Sequence, residues 1–89
     1  MVDIPIILKG DKTTHGGIVL EGFSGVTWQG IPVAGVGHMV VCPLCDGKFP
    51  IMAGSPQMTF CGVNVATQDM KTACGASLIP SQQLFCISV

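Results

Sequence analysis

The residues of this 89-residue chain best suited to chemistry are five cysteines and two histidines. Cys42 and Cys45 stand at Cys-x-x-Cys spacing in the stretch "CPLCDG". Such a pair can grip a metal, cycle through a disulfide, or pack as inert thiols. Comparison of the chain with itself favours the metal. Aligning "GDKTTHGGIVL" (10–20) with "DMKTACGASLI" (69–79) sets Lys12 on Lys71, Thr13 on Thr72, His15 on Cys74 and Gly16 on Gly75. A middle copy, "GHMVVCPLCDG" (37–47), places Cys42 in the same slot. One slot seen three times therefore holds His, Cys and Cys, and five extra residues in the middle copy bring in Cys45. Zinc takes four tetrahedral thiolate and imidazole ligands, and a closed set is structural rather than catalytic. His15, Cys42, Cys45 and Cys74 make such a set. Drawn from the start, middle and end of the chain, they would tie all three copies together through one metal.

The other candidates are weaker. A redox pair expects a strand running into a helix, which is missing here. Cys61 occupies a turn position and reads as a packed thiol; Cys86 lies in the tail without a repeat partner. His38 shares its slot with Asp11 and Met70, a mixture unlike a ligand position, and stands as a substitute should Cys45 lie too far away. The acidic residues are scattered, and no catalytic constellation or phosphate-binding loop occurs.

A second repeat runs at an offset of 32, from "GFSGVTWQGIPVAGVG" (22–37) to "GSPQMTFCGVNVATQD" (54–69). It matches Gly22 to Gly54, Trp28 to Phe60, Gly30 to Gly62, Val33 to Val65 and Ala34 to Ala66. Trp28 and Phe60 are expected as core or interface anchors. Short apolar runs bounded by glycine, with 12 Gly and 6 Pro and no 3.6-residue periodicity, predict an all-β fold of hairpins and tight turns. Two full copies and a partial third predict a pseudo-threefold object, a single unit over 1–89 whose repeats span about 8–82.

Composition agrees. Only 10% of residues are charged and 48% are apolar, so a domain this small must expose apolar surface, the mark of an interaction face. A net charge of −1 leaves no basic stripe for nucleic acid. The start, "MVDIPIILKGD", lacks a basic n-region and is expected as a first strand rather than a signal peptide. The expected folding compartment is the cytoplasm, where disulfides are disfavoured.

"GDKTTHGGIVLEG", "GIPVAGVGHMVVCPLCDGKFPIMAG" and "MKTACGASLIPSQQ" resemble the PAAR-repeat proteins that tip the spike of bacterial type VI secretion systems. The resemblance implies a small cone of β-hairpins with a metal, usually zinc, near the point. It also implies a flat base docked on a trimeric VgrG-type spike and a role in puncturing membranes and delivering effectors. Carried over by position, the family's ligands fall on His15, Cys42, Cys45 and Cys74. The eponymous Pro-Ala-Ala-Arg is here Pro32-Val33-Ala34-Gly35, without its arginine, and Asn64-Val65-Ala66-Thr67 in the second copy. The chain stops soon after the last repeat, which implies a bare tip or an adaptor for a separate toxin; the tip of a phage-tail spike is the nearest alternative, and a small redox enzyme a more distant one. With the ligand slots converging on one point, the turns at the far ends of the strands are expected to splay into the base. One chain is then expected per spike trimer, bound through Pro32, Val33, Ala34, Gly35, Val65 and Ala66. A charge at Val33 or Val65 is expected to block docking and leave the metal in place.

Overall fold

The repeats translate into three antiparallel hairpins closed around an axis. The computed structural model describes residues 3–82 and 84–88 and is all-β, with eleven short strands and no helix among the described residues. Strands β2 (Lys12–Thr13) and β3 (Ile18–Val19) form the first hairpin, and β6 (Met39–Cys42) and β7 (Gly47–Pro50) the second. The third runs from Thr72 to β10 (Leu78–Ile79). Strand β3 pairs with β6, and β10 pairs back onto β2. The remaining gap is closed where Ala73 N–H donates to Pro50 O (2.9 Å) and Met52 N–H to Lys71 O (2.9 Å). Closing the ring of hairpins pairs the outer strands of this sheet with each other.

The axis itself is built from backbone. Ile7 N–H donates to Ala66 O (3.0 Å), Ala66 N–H to Ala34 O (2.9 Å) and Ala34 N–H to Ile7 O (2.9 Å), a closed three-membered ring. A second ring lies beside it: Lys9 N–H to Pro32 O (2.8 Å), Val36 N–H to Asn64 O (3.0 Å) and Gln68 N–H to Pro5 O (2.9 Å). The repeated Val-Ala step is thus the point at which each copy hands its hydrogen bonds to the next. Ala34 and Ala66 are small enough to let three segments of the chain approach one axis, and their buried N–H and C=O groups are all paired, as burial demands.

Around the axis the apolar side chains form two layers. Ile7, Val19, Ala34, Val40, Ile51, Ala66 and Leu78 fill the layer under the hairpins. Ile6, Leu8, Phe23, Val33, Val65 and Ile87 fill the other, with Trp28, Met58, Phe60 and Phe85 packed against it. Spacing within each copy confirms the insertion read from the sequence. Asp11 to Val19 and Met70 to Leu78 are each eight residues, whereas His38 to Ile51 is thirteen, a difference of five.

Beyond the second layer lie three two-stranded ribbons: β4 (Thr27–Trp28) with β5 (Ile31–Pro32), β8 (Ser55–Phe60) with β9 (Val63–Val65), and β1 (Asp3–Pro5) with β11 (Cys86–Ser88). The first two turn through Gln29-Gly30 and Cys61-Gly62, all at positive φ (52°, 80°, 52° and 78°). This is the two-residue hairpin turn whose twist matches that of the strands, and its second position favours glycine. The third ribbon corrects the sequence reading. The expected first strand is present from Asp3, but its partner is the tail, so the third copy is complete rather than partial. Cys86 faces Pro5 across this ribbon as Thr27 faces Pro32 and Thr59 faces Asn64, and so does have repeat partners. Strand pairing here joins residues more than eighty positions apart, Asp3 with Ser88 and Pro5 with Cys86, and self-alignment of contiguous stretches cannot see it.

A second correction concerns the expected docking residues. Val33, Ala34, Val65 and Ala66 are fully buried, Gly35 is buried as well, and only Pro32 is half-exposed. These side chains form the chain's own core, and a charge at Val33 or Val65 would disrupt the fold instead of selectively blocking a partner.

Candidate metal centre

Each hairpin loop at the closed end carries its ligand residue to the same place. His15 lies in the loop after β2, Cys42 ends β6, Cys45 sits in the four-residue loop before β7, and Cys74 lies in the loop before β10. His15 Nδ1 stands 3.5 Å from Cys42 Sγ and 3.9 Å from both Cys45 Sγ and Cys74 Sγ. All four ligand atoms fall within 4.8 Å of one another. A tetrahedral zinc at about 2.3 Å from sulfur and 2.0–2.1 Å from nitrogen separates two sulfurs by about 3.8 Å and nitrogen from sulfur by about 3.6 Å. The donor set and its spacing fit a closed four-ligand ion, with His15 binding through Nδ1. His38 is not part of the cluster.

The four groups differ in access. Cys42 is buried, His15 and Cys74 are half-buried, and Cys45 is exposed. Burial pushes the Cys74 thiol up, but hydrogen bonds from Thr72, the Ala76 N–H, Cys42 and His15 outweigh it and bring its pKa down to about 6. The Cys45 thiol is raised to about 11, chiefly by its hydrogen bond with Cys42, then by desolvation and by Cys74. The Thr72 hydroxyl, 3.1 Å from Cys74 Sγ, orients that ligand. Sequence reasoning passed over it, although the repeated Lys-Thr step was its signal. The equivalent Thr13 accepts a hydrogen bond from Gly17 N–H (3.0 Å) and so shapes the His15 loop.

The slot shared by Asp11, His38 and Met70 has a structural task. Asp11 Oδ2 accepts from Leu8 N–H at 2.9 Å, and His38 Nδ1 accepts from Gly35 N–H at 2.8 Å, the same bond in two copies. Met70 cannot make it. Asp11 also receives the Ser81 hydroxyl and so fastens the tail. His38→Asp should therefore keep both fold and metal, at a cost near the ~1 kcal/mol of the lost edge contact between His38 and Phe23 (4.8 Å). His38→Ala should cost more, about 1–3 kcal/mol, by leaving the Gly35 N–H without its acceptor. Thermal unfolding with metal analysis of both variants checks the ordering; zinc lost from His38→Asp would make His38 a ligand.

A family model for the PAAR motif matches residues 9–80. The chain belongs to the PAAR-motif family. Comparison with curated proteins gives no match. PAAR-motif proteins are structural, the spike tips of type VI secretion-like systems, and the cluster of His15 with three cysteines is a possible metal site of that kind.

The chain's departure from the family name has a steric basis. At Gly35, where the name has arginine, a Cβ would lie 2.6 Å from the Phe23 ring and 2.8 Å from Asn64 O. Phe23 occupies this space, edge-on to His38 and to Phe60 (5.5 Å). Gly35→Ala should destabilise by about 1–3 kcal/mol, and Phe23→Ala should not rescue it fully, because the Asn64 carbonyl is backbone. A denaturation midpoint unchanged by Gly35→Ala would show that the ring and strand give way freely.

Proposed function

We propose that the chain is a non-enzymatic, zinc-stabilised tip that caps and sharpens a trimeric VgrG-type spike, one chain per trimer. In this reading it helps to puncture target membranes and deliver effectors, after assembly in the bacterial cytoplasm and ejection on the spike. Membership of the PAAR-motif family supports it. The observation that carries it is the polarity of the pseudo-threefold axis. Four metal-ligand side chains gather at one end, and three two-stranded ribbons surround the apolar layer at the other.

His15, Cys42, Cys45 and Cys74 would hold the ion, whose contribution is to tie the three hairpin loops into a rigid point. The first ribbon offers a partner the exposed Ile31 and the half-buried Trp28, stacked on Phe85 at 5.9 Å, and the bend leading into β11 offers the exposed Leu84. Aromatic and aliphatic residues with few charges are what a stable interface core uses. Co-purification with candidate trimeric spike proteins tests the proposal. The mass of the complex should correspond to one chain per three spike chains; a complex of three to three, or no binding to any such spike, overturns it.

A further inference from the structure

We propose that Cys42 and Cys45 form a peroxide-sensitive latch on the apex, whose oxidation to a disulfide releases the metal and unties the three hairpins. The inference rests on reading the cluster as a zinc site. Three of its four donors are sulfur, and all three serve a metal as thiolates, the form that oxidants attack. Access selects among them. Cys45 is exposed on the inserted loop, whereas Cys42 is 1% exposed and Cys74 is half-buried and held by Thr72. With all three sulfurs held as thiolates by the ion, exposure decides among them, so Cys45 reacts first.

The chemistry balances with a hydroperoxide as oxidant. Cys45 Sγ attacks one peroxide oxygen, the O–O bond breaks, and the hydroxide leaving group takes a proton to become water. The sulfur, oxidised by two electrons, is now a sulfenic acid. Cys42 Sγ lies within 4.8 Å, three positions back at the end of β6, and attacks the Cys45 sulfur. The S–S bond forms as the S–O bond breaks, and the second hydroxide also leaves as water. The sum is two thiolates, one hydrogen peroxide and two protons giving one disulfide and two waters. His15 and Cys74 remain, too few to hold a structural ion. The new bond lies within the second hairpin, so it does not replace the link between hairpins that the metal made. The apex would then be closed in a reducing compartment and untied in an oxidising one.

The test uses the full chain purified with its zinc. Metal content before oxidation separates the two ideas: a chain that purifies folded and metal-free overturns the zinc reading and the latch with it. Given bound zinc, hydrogen peroxide should release one equivalent and remove two of the five free thiols, lowering the melting temperature. Dithiothreitol with added zinc should restore all three readings. The variant carrying Cys61→Ser and Cys86→Ser should lose two of its three thiols alike. Peptide mapping of the oxidised wild-type chain should find Cys42 joined to Cys45, and it does not depend on that variant folding. Zinc retained while thiols are lost, a Cys45–Cys74 bond, or Cys45 driven to sulfinic acid without a disulfide would each overturn the proposal.

Discussion

Chelation of the bound metal should unfold the purified protein, and Cys42→Ser or Cys74→Ser should do nearly the same. Structural zinc contributes on the order of 10 kcal/mol to a small domain, while the net stability of a whole domain is about 5–15 kcal/mol. The geometry says why an ion held there would matter so much. The hairpin ends are joined to one another by short pairings of two residues or isolated bridges, and the four ligands span all three loops. Removing Cys74 leaves three ligands and frees one loop, and removing Cys42 leaves the second loop held by the exposed Cys45 alone. Cys61→Ser and Cys86→Ser should be far milder. Cys61 is exposed at a ribbon turn, and Cys86 takes the slot that holds threonine in the other two ribbons. Metal analysis with thermal unfolding of the four variants decides the matter. Equal effects at all four positions, or a metal-free protein melting at an unchanged temperature, would refute the assignment.

Ile31→Asp should abolish spike binding and leave zinc and fold intact, whereas Val33→Asp should prevent folding. The two residues are neighbours in sequence but differ completely in setting. Ile31 pairs with Trp28 on the first ribbon and is 40% exposed, while Val33 is fully buried in the second core layer. A carboxylate at Ile31 is solvated in the free chain and is stripped of water only when a partner covers it, so the several kcal/mol of an unpaired buried charge fall on binding. At Val33 the same penalty falls on folding. Because Asp3 is the one charged residue on the ribbon strands, wild-type binding should vary little between low and moderate salt, where a charge-driven interface would weaken. Pull-down with candidate trimeric spikes, alongside metal content and circular dichroism, separates the cases. Undiminished binding by Ile31→Asp would place the docking surface elsewhere, and a soluble, folded Val33→Asp would contradict the buried position of Val33.

The sequence by itself determined the cluster of four candidate metal ligands, the all-β class and the pseudo-threefold plan. All three rest on local patterns that repeat: a loop that must present a ligand keeps a ligand-type residue at a constant place, as His15, Cys42 and Cys74 do. The same logic identified the Asp11, His38 and Met70 slot as non-ligating, though not its backbone bond. The tertiary structure decided the rest. It completed the third ribbon by bringing Asp3–Pro5 against Cys86–Ser88, a pairing between chain ends that no local pattern encodes. It put Val33, Ala34, Val65 and Ala66 inside: an apolar residue in a small domain can serve a core or a partner equally well, and only the packing of three copies on one axis shows which. It also explained Gly35, whose missing side chain makes room for Phe23, twelve residues earlier and unmarked by any repeat. Residues that act through their own copy can be read along the chain; those that act across copies are fixed only when the axis closes.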